Sequence, residues 1–469
     1  MRYRPWIVFL LFLTLSVLLR WGTFSASVIN HDESTYIVGA DELLRGEVYL
    51  RDVIDTKPVG IFWLYALLIK LTGGSIWMLR LSAATFVALG AWLLSIVARR
   101  ATGKATAGLV AGAVYTFMCS VYTYYGISPN TEIFFNVFTI SAVAVSVVAD
   151  LKRWWLAGLL LGLGFIIKPF VAAEALAIGL YMIWWYRREP VMVLTKGLQL
   201  VGGFAVPIAL VGGYFAYQGL LPQLWFYTFE VAGAYPIDLP WYLRLKYMGD
   251  YVLRYSPFIL LGAVAQVRGR FGKHAPWLTY LALQAILVTI VVLLTGKRFG
   301  HYQVQLHPVA ALYVGTCVGL LWDDKLRRRR WIGSVVFIAG MLIGIGHGIY
   351  YAKKDDEARR IAAYLAPLLQ AGETYFAVNG FQITYHLLDR PTPTPYIHSS
   401  LLFYDHHVRA FQIDEAKEAD RVVSDRSVTY LVRRTDDPEV ESLFGRRITR
   451  AFEPLDTIDG GVEIWQRKK

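Results

Sequence analysis

The chain has 469 residues, 56% of them hydrophobic and only 17% charged. A soluble globular chain carries about a quarter charged residues, so an ordinary soluble protein is excluded. The net charge of +12 does not point to nucleic acid, because most basic residues fall in short clusters between apolar runs, where they set membrane topology. Apolar runs near the roughly 20 residues that cross a bilayer are predicted at about 5–23, 77–98, 105–123, 130–149, 154–168, 170–186, 197–217, 251–267, 276–295, 307–322 and 331–351. Arg2 and Arg4 precede the first run and "SAS" at 25–27 resembles a cleavage site, but the spans that follow favour an uncleaved anchor. With the N-terminus in the cytoplasm, every inside connection is basic: "RRATGK" at 99–104, Lys152 and Arg153, Arg187 and Arg188, "RGRFGK" at 268–273 and "KLRRRR" at 325–330. Eleven spans then place the C-terminus outside. The tightest joint is "IIKPF" at 166–170, where two spans meet with almost no loop.

Three segments remain for the outer face. The first covers about 24–76 and the second, rich in aromatics, about 218–250. The third, 353–469, reads as a small soluble α/β domain. In it "DDEARRIAAYLAPLLQ" has helical spacing, and "TYFAVN", "VTYLVRR" and "VEIWQRK" read as strands. "RPTPTP" at 390–395 reads as a turn or extended segment. Residues 1–352 form the membrane domain. The two cysteines, Cys119 and Cys317, lie in separate apolar runs and read as buried apolar residues.

The first outer loop holds the densest chemistry. Asp32 and Glu33 follow the first span at the membrane boundary, where carboxylates are costly unless paired or facing a wet cavity. Asp41 and Glu42 read as the solvated face of a helix. "TKPVG" at 56–60 supplies Lys57 just before a helix-starting proline. Arg80 enters the next span, and "SPNTEIFF" at 128–135 adds Glu132. Lys168 falls at the outward turn between two spans. "KRFGHYQVQLHP" at 297–308 brings Lys297, Arg298, His301 and Tyr302 to an outer span end. These groups are expected to converge on a cavity at the outer membrane surface. The set suits transfer of a sugar from a lipid phosphate. Cations and Tyr donors can stabilise the departing phosphate, and one carboxylate can take the proton of the acceptor hydroxyl.

The acid pair after the first span, the "D-x-K-P" stretch and the "HY" before a late "LxP" resemble the GT-C superfamily of lipid-linked-sugar glycosyltransferases. The likeness, over roughly residues 1–350, is to the bacterial branch related to protein O-mannosyltransferases and the aminoarabinose lipid A transferase, which includes rhizobial core galacturonosyltransferases. It implies an inverting transferase that uses a polyprenyl-phosphate sugar on the periplasmic side of the bacterial inner membrane. Its acceptor would be a lipid or glycan. Asp32 would be the base or acceptor-orienting acid, with Glu33 its neighbour. Lys57 would contact the donor phosphate, and Glu132, Lys168, Arg298, His301 and Tyr302 match other outer-end groups of the family. The tail from 353 looks like the variable outer domain of this branch. The chain departs from the pattern in reading "KPV" where relatives read "KPP", and in placing His307 before Pro308.

Other signals carry blander readings. His406 and His407, near His398, read as a polar surface patch. His347, in "GIGHGIYY", packs or lines a cavity. No cofactor is required by this chemistry, although Asp32, Glu33 and Glu132 together could hold a divalent cation. The aromatic loop is an interfacial belt, a cover over substrate, or both. The competing class is a transporter or flippase of lipid-linked sugars, which inverted repeats would favour; no such repeat is apparent in the sequence.

Overall fold

A computed structural model of the chain describes residues 4–234, 239–297, 300–321, 331–378, 381–435, 442–458 and 461–469. Two compact units are formed. The first comprises Met1–Ser25, Ile76–Val211 and Ile237–Lys353, and the second Ala26–Ser75, Gly212–Pro236 and Lys354–Lys469.

The first unit is helical. Each of the eleven predicted stretches falls largely on helix, from Pro5–Arg20 to Trp331–Lys353, although the one at 251–267 is divided at Tyr255 between helices Trp241–Arg254 and Ser256–Gly269. Among the described residues, five helices are long and apolar enough to cross a membrane: Pro5–Thr23, Ile76–Thr102, Pro190–Tyr217, Ala275–Leu294 and Gly300–Leu321. Several shorter apolar helices accompany them, including Ala105–Met118, Thr131–Ser146 and Trp154–Ile167. The joint at "IIKPF" is as tight as expected. Helix Trp154–Ile167 ends at Lys168, whose extended backbone (φ −155°, ψ 123°) leads into a short 3-10 turn and helix Ala172–Trp185. Pro169 explains the break, because the residue before a proline is pushed out of the helical region.

Apolar solvent gives helices little reason to associate except close packing, so small residues gather at their contacts. Helices Trp154–Ile167 and Pro190–Tyr217 meet through two reciprocal glycines. A Cβ on Gly158 would fall 2.0 Å from the Leu200 carbonyl oxygen, and one on Gly203 2.1 Å from that of Trp155. His347 packs in the same spirit, its Nδ1 2.9 Å from the Leu19 carbonyl oxygen, so helix Trp331–Lys353 is tied to helix Pro5–Arg20. At the end of that first helix Arg20 is buried and donates to the carbonyls of Cys119, Gly126 and Ile127. It thereby satisfies carbonyls that the end of helix Ala105–Met118 and the following turn leave open.

The second unit contains a four-stranded sheet of order β1-β2-β4-β3, with β1 Thr374–Ala377, β2 Val428–Arg434, β3 Phe452–Ile458 and β4 Val462–Arg467. β1 and β2 are parallel, and the other pairs antiparallel. Phe376, Leu431, Phe444 and Phe452 centre its core. Three strands fall where alternation places them. β3, "FEPLDTI", escapes sequence reading because it is an edge strand, exposed over most of its length and interrupted by Pro454.

Composition predicts one break near residue 352. The tail instead shares its unit with most of the first outer loop and part of the aromatic one. Glu42 accepts a hydrogen bond from the Thr392 amide (3.0 Å), and Arg45 bonds Asp389 (2.7 Å). The Ile54 amide donates to the Pro395 carbonyl (2.7 Å), so "RPTPTP" serves as an extended docking strip. Asp41 and Glu42 are therefore not a solvated face: Glu42 is 4% exposed and Asp41 bonds His386. The aromatic loop is divided. Tyr227 packs at a tilt against Phe411 in the second unit, helix Trp241–Arg254 belongs to the first, and Tyr235 lies outside the described residues.

Replacing Gly158 by Val should destabilise the first unit, since overpacking costs about 1–3 kcal/mol or more when the obstacle is backbone. Gly202→Ala, whose Cβ meets nothing within 4 Å, should be neutral or stabilising by up to about 1 kcal/mol. Thermal unfolding of the purified protein in detergent distinguishes the two.

Candidate active site

In the second unit, helix His31–Arg45 begins directly after Asn30, whose side chain accepts the Asp32 amide hydrogen bond at 2.8 Å. This N-cap puts both adjacent acids in the first helical turn, where the helix dipole favours negative charge. A helix rotates about 100° per residue, so the two carboxylates cannot share a face. Glu33 is 1% exposed, whereas the Asp32 side chain keeps 21% of its surface open. Asp32 Oδ1 lies 2.8 Å from Lys57 Nζ. The lysine is held by its own loop. Asp55 Oδ1 accepts the Lys57 amide at 3.0 Å and lies 3.3 Å from its ammonium. Buried Tyr49 donates its hydroxyl to the Lys57 carbonyl. Pro58 then leads into helix Val59–Thr72. Asp55 was not singled out by its residue type, although "D-x-K-P" contains it: an Asp two residues ahead is well placed to bond the lysine amide.

His398 also belongs to this neighbourhood. It is partly buried, with Nδ1 2.6 Å from Ser400 Oγ. Burial, aided by the Lys57 charge and opposed by Asp55 and Asp32, pushes its pKa down to about 4, so the ring is neutral at pH 7. His407 is 7% exposed, with Nδ1 3.2 Å from the Ser400 carbonyl oxygen. The expected histidine surface patch is thus partly interior, because the His398–Ala410 segment carries Leu401, Leu402 and Phe403 into the same core as Phe376 and Leu431 of the sheet.

The first unit brings together a second set. Glu132 is fully buried and ion-paired with Lys168. The Lys168 ammonium sits 4.0 Å from the centroid of the Tyr302 ring and 4.8 Å from that of Phe170, a cation–π arrangement. His301 is buried edge-on to Tyr302, with ring centroids 4.5 Å apart. Arg80 is 1% exposed on helix Ile76–Thr102, within electrostatic reach of Tyr351. Arg298 lies outside the described residues. Among the described residues, no group of three or more His, Cys, Asp or Glu is placed to hold a metal ion.

The same unit contains a cavity of about 280 Å³, close to the lower end of small-molecule pockets. Of the residues expected at the outer span end, Tyr302 and Lys297 line it. Arg244, Asp250, Arg254, Gln303, Tyr125 and Tyr247 are among its other polar lining residues. Arg244 is anchored by the carbonyls of Leu239 (2.6 Å) and Leu293 (3.2 Å). Sequence reading passed over the charged residues of helix Trp241–Arg254 because its aromatics dominate the composition. The available signal was the i, i+4 spacing of Asp250 and Arg254.

Comparison with known proteins bears on this arrangement. Residues 56–214 match the family described as dolichyl-phosphate-mannose-protein mannosyltransferase. The undecaprenyl phosphate-alpha-4-amino-4-deoxy-L-arabinose arabinosyl transferase 1 of Pseudomonas fluorescens is 24% identical over 340 residues, covering 67% of this chain and 59% of the relative. The match thus spans less than two thirds of that relative's length. ArnT from Cupriavidus metallidurans, in its crystal structure bound to undecaprenyl phosphate, superposes with a TM-score of 0.67 at 12% identity, over 98% of this chain and 97% of ArnT. The chain has a GT-C-type membrane fold. The Archaeoglobus fulgidus oligosaccharyltransferase shares this GT-C architecture less closely, with a TM-score of 0.55 at 11% identity, over 97% of this chain and 73% of the other. The GT-C likeness expected from the short motifs therefore holds in both sequence and fold.

One contact near the acid-bearing helix titrates. His386 Nδ1 is 2.7 Å from Asp41 Oδ2, and its Nε2 is 2.7 Å from the Gly74 carbonyl oxygen. Two acceptors call for the doubly protonated ring. Burial works against that charge and Arg45 opposes it, but the hydrogen bond and charge of Asp41 and the Gly74 carbonyl raise the pKa overall. The stabilisation is therefore complete below the unfolded value of about 6.5 and is lost as pH rises through the higher folded value. The unfolding temperature of the wild type should fall across that window. His386→Gln should lack this component when both are followed by scanning fluorimetry against pH.

Proposed function

We propose that the protein is an inverting glycosyltransferase. It moves a monosaccharide from a polyprenyl-phosphate donor to a lipid or glycan acceptor at the outer face of the plasma membrane, which is the bacterial inner membrane. The observation that carries this reading is the partly open Asp32–Lys57 pair on a chain with the fold of ArnT. In the reaction the acceptor hydroxyl gives its proton to the Asp32 carboxylate. Its oxygen bonds to the anomeric carbon as the bond from that carbon to the phosphate oxygen breaks. The electron pair leaves with the polyprenyl phosphate, which gains negative charge that cations must stabilise. Lys57 is offered for that role, and its two carboxylate neighbours hold its ammonium in place. Glu33, buried in the same helical turn, is offered as the acid that orients the acceptor or positions Asp32. In the first unit the Glu132–Lys168 pair and His301 pack against Tyr302, which lines that unit's own cavity; they are offered as further substrate-binding groups. No divalent cation is needed for these steps.

The distribution of basic residues supports eleven spans with the N-terminus in the cytoplasm and residues 353–469 outside. The relative from Pseudomonas fluorescens is named for an undecaprenyl-phosphate-linked sugar, and ArnT was crystallised with undecaprenyl phosphate. Both favour a transferase over a flippase.

Transfer of labelled sugar from a panel of polyprenyl-phosphate sugars to membrane lipid acceptors tests the proposal. Asp32→Asn should lower turnover by about a hundredfold to ten-thousandfold, the range of general-base catalysis, with the protein still folded and binding donor. Near-normal turnover in that variant removes Asp32 from the base role. Lys57→Ala should raise the apparent KM for donor by about tenfold or more, the scale of a lost charged hydrogen bond. Unchanged donor kinetics would take Lys57 out of the site.

A further inference from the structure

Within the second unit, the chain that follows "RPTPTP" runs up to the Asp32–Lys57 pair. Ile54 and Tyr396 form a parallel bridge, and the Ile54 amide donates to the Pro395 carbonyl at 2.7 Å. Extended chain advances about 3.3 Å per residue, so the parallel direction carries His398 towards Thr56 and Lys57. A second contact fixes the other side of this segment. A Cβ on Gly39 of helix His31–Arg45 would fall 3.2 Å from Ile397 Cδ1, so the segment lies against the helix that bears Asp32. His398 accordingly feels the charges of Lys57, Asp55, Asp32 and His31. The transfer chemistry as described so far gives this histidine no task.

The state of its ring follows from its partner. Ser400 Oγ lies 2.6 Å from His398 Nδ1, and the serine is 6% exposed. A buried hydroxyl hydrogen needs an acceptor, and among the described residues Nδ1 is the one partner of Ser400 Oγ. The hydroxyl therefore donates to Nδ1, and a neutral ring then carries its proton on Nε2. Burial and the Lys57 charge keep the ring neutral at pH 7. Nε2 has no hydrogen-bond partner among the described residues, and the side chain is partly open. His398 thus offers an N–H donor beside the pair and adds no charge to it.

A departing phosphate needs more than Lys57 at this place. A lysine ammonium has three N–H donors, and two carboxylate oxygens already engage this one, Asp32 Oδ1 at 2.8 Å and Asp55 Oδ1 at 3.3 Å. We infer that His398 is a catalytic residue of this site, its Nε2–H donating a hydrogen bond to an oxygen of the donor phosphate. Ser400 is the positioning residue that keeps the ring proton on Nε2. The inference rests on the transfer proposed at the Asp32–Lys57 pair. As the bond from the anomeric carbon to the phosphate oxygen breaks, the electron pair goes to the phosphate, and a fixed donor aimed at that growing charge favours the transition state. Nε2 keeps its hydrogen throughout, and the proton of the acceptor hydroxyl goes to Asp32.

The test uses the full-length protein in detergent with the panel of labelled polyprenyl-phosphate sugars and membrane lipid acceptors. It reads kcat, the KM of each substrate and the dissociation constant of undecaprenyl phosphate. His398→Ala should lower kcat/KM for the donor by about tenfold to a hundredfold, the scale of a hydrogen bond to a charged group. It should also weaken undecaprenyl phosphate and leave the KM of the acceptor unchanged. His398→Gln, whose side-chain amide can place an N–H near the position of Nε2, should recover most of that loss. Ser400→Ala should cost about twofold to tenfold, the scale of a neutral hydrogen bond, and should add nothing when His398 is already alanine. A loss confined to the KM of the acceptor overturns the inference, because His398 would then hold the acceptor. A glutamine variant as impaired as the alanine one also overturns it, because the ring would then serve packing alone. Unchanged donor kinetics in Ser400→Ala overturn the role of Ser400 and, where His398→Ala does not fold, the whole inference. Wild-type transfer that His398→Ala leaves at its normal rate overturns this inference and leaves the proposed function standing. No transfer by the wild type from any donor overturns the proposed function, and this inference with it.

Discussion

Burying an ion among apolar helices costs several kcal/mol unless a partner or a set of dipoles replaces its water. That cost organises the helical unit. Arg20 ends the first apolar helix and is surrounded by three main-chain carbonyls. Glu132, fully buried, has Lys168. Both arrangements join separate elements of the chain, so satisfying the charge also fixes how the helices meet. Lys168 is able to serve because Pro169 stops the helix before it and leaves its backbone extended at the joint of two apolar helices.

The second unit solves a related problem with a helix terminus. Asn30 starts helix His31–Arg45 so that two adjacent acids fall in its first turn. The helical rotation then gives them different surroundings, one buried and one partly open. The open one, Asp32, meets a lysine whose backbone is braced by Asp55 and Tyr49. Further along the same helix, Asp41, Glu42 and Arg45 bond residues of the tail. The helix that carries the candidate base is thus held at its far end by the C-terminal residues, which accounts for their sharing one unit.

The fold was largely legible in the sequence, and the site less so. Long apolar runs and basic clusters marked the helices because a bilayer demands both, and the joint at Lys168 was marked by Pro169. Asp32 could be picked out because ionisable residues at a span end are rare enough to stand out, and Lys57 because Pro58 and the "D-x-K-P" stretch mark it. Glu42 and His407 were misread as surface, because their burial depends on partners, Thr392 and Ser400, that no local pattern announces. β3 was missed because an edge strand has no need of the alternation that betrays a covered one.

By itself, then, the sequence determined that this is a multi-pass membrane protein, where its helices run, and which acids and cations are available for chemistry. Those properties are local: hydropathy, charge and turn residues act within a few positions of where they are written. Tertiary structure alone decided that Lys57 sits between Asp32 and Asp55, that Glu132 meets Lys168, and that Tyr125 holds Asp250 at the wall of a cavity. Tyr125 and Asp250 are 125 positions apart, and the energy that joins them exists only once packing has removed the water between them.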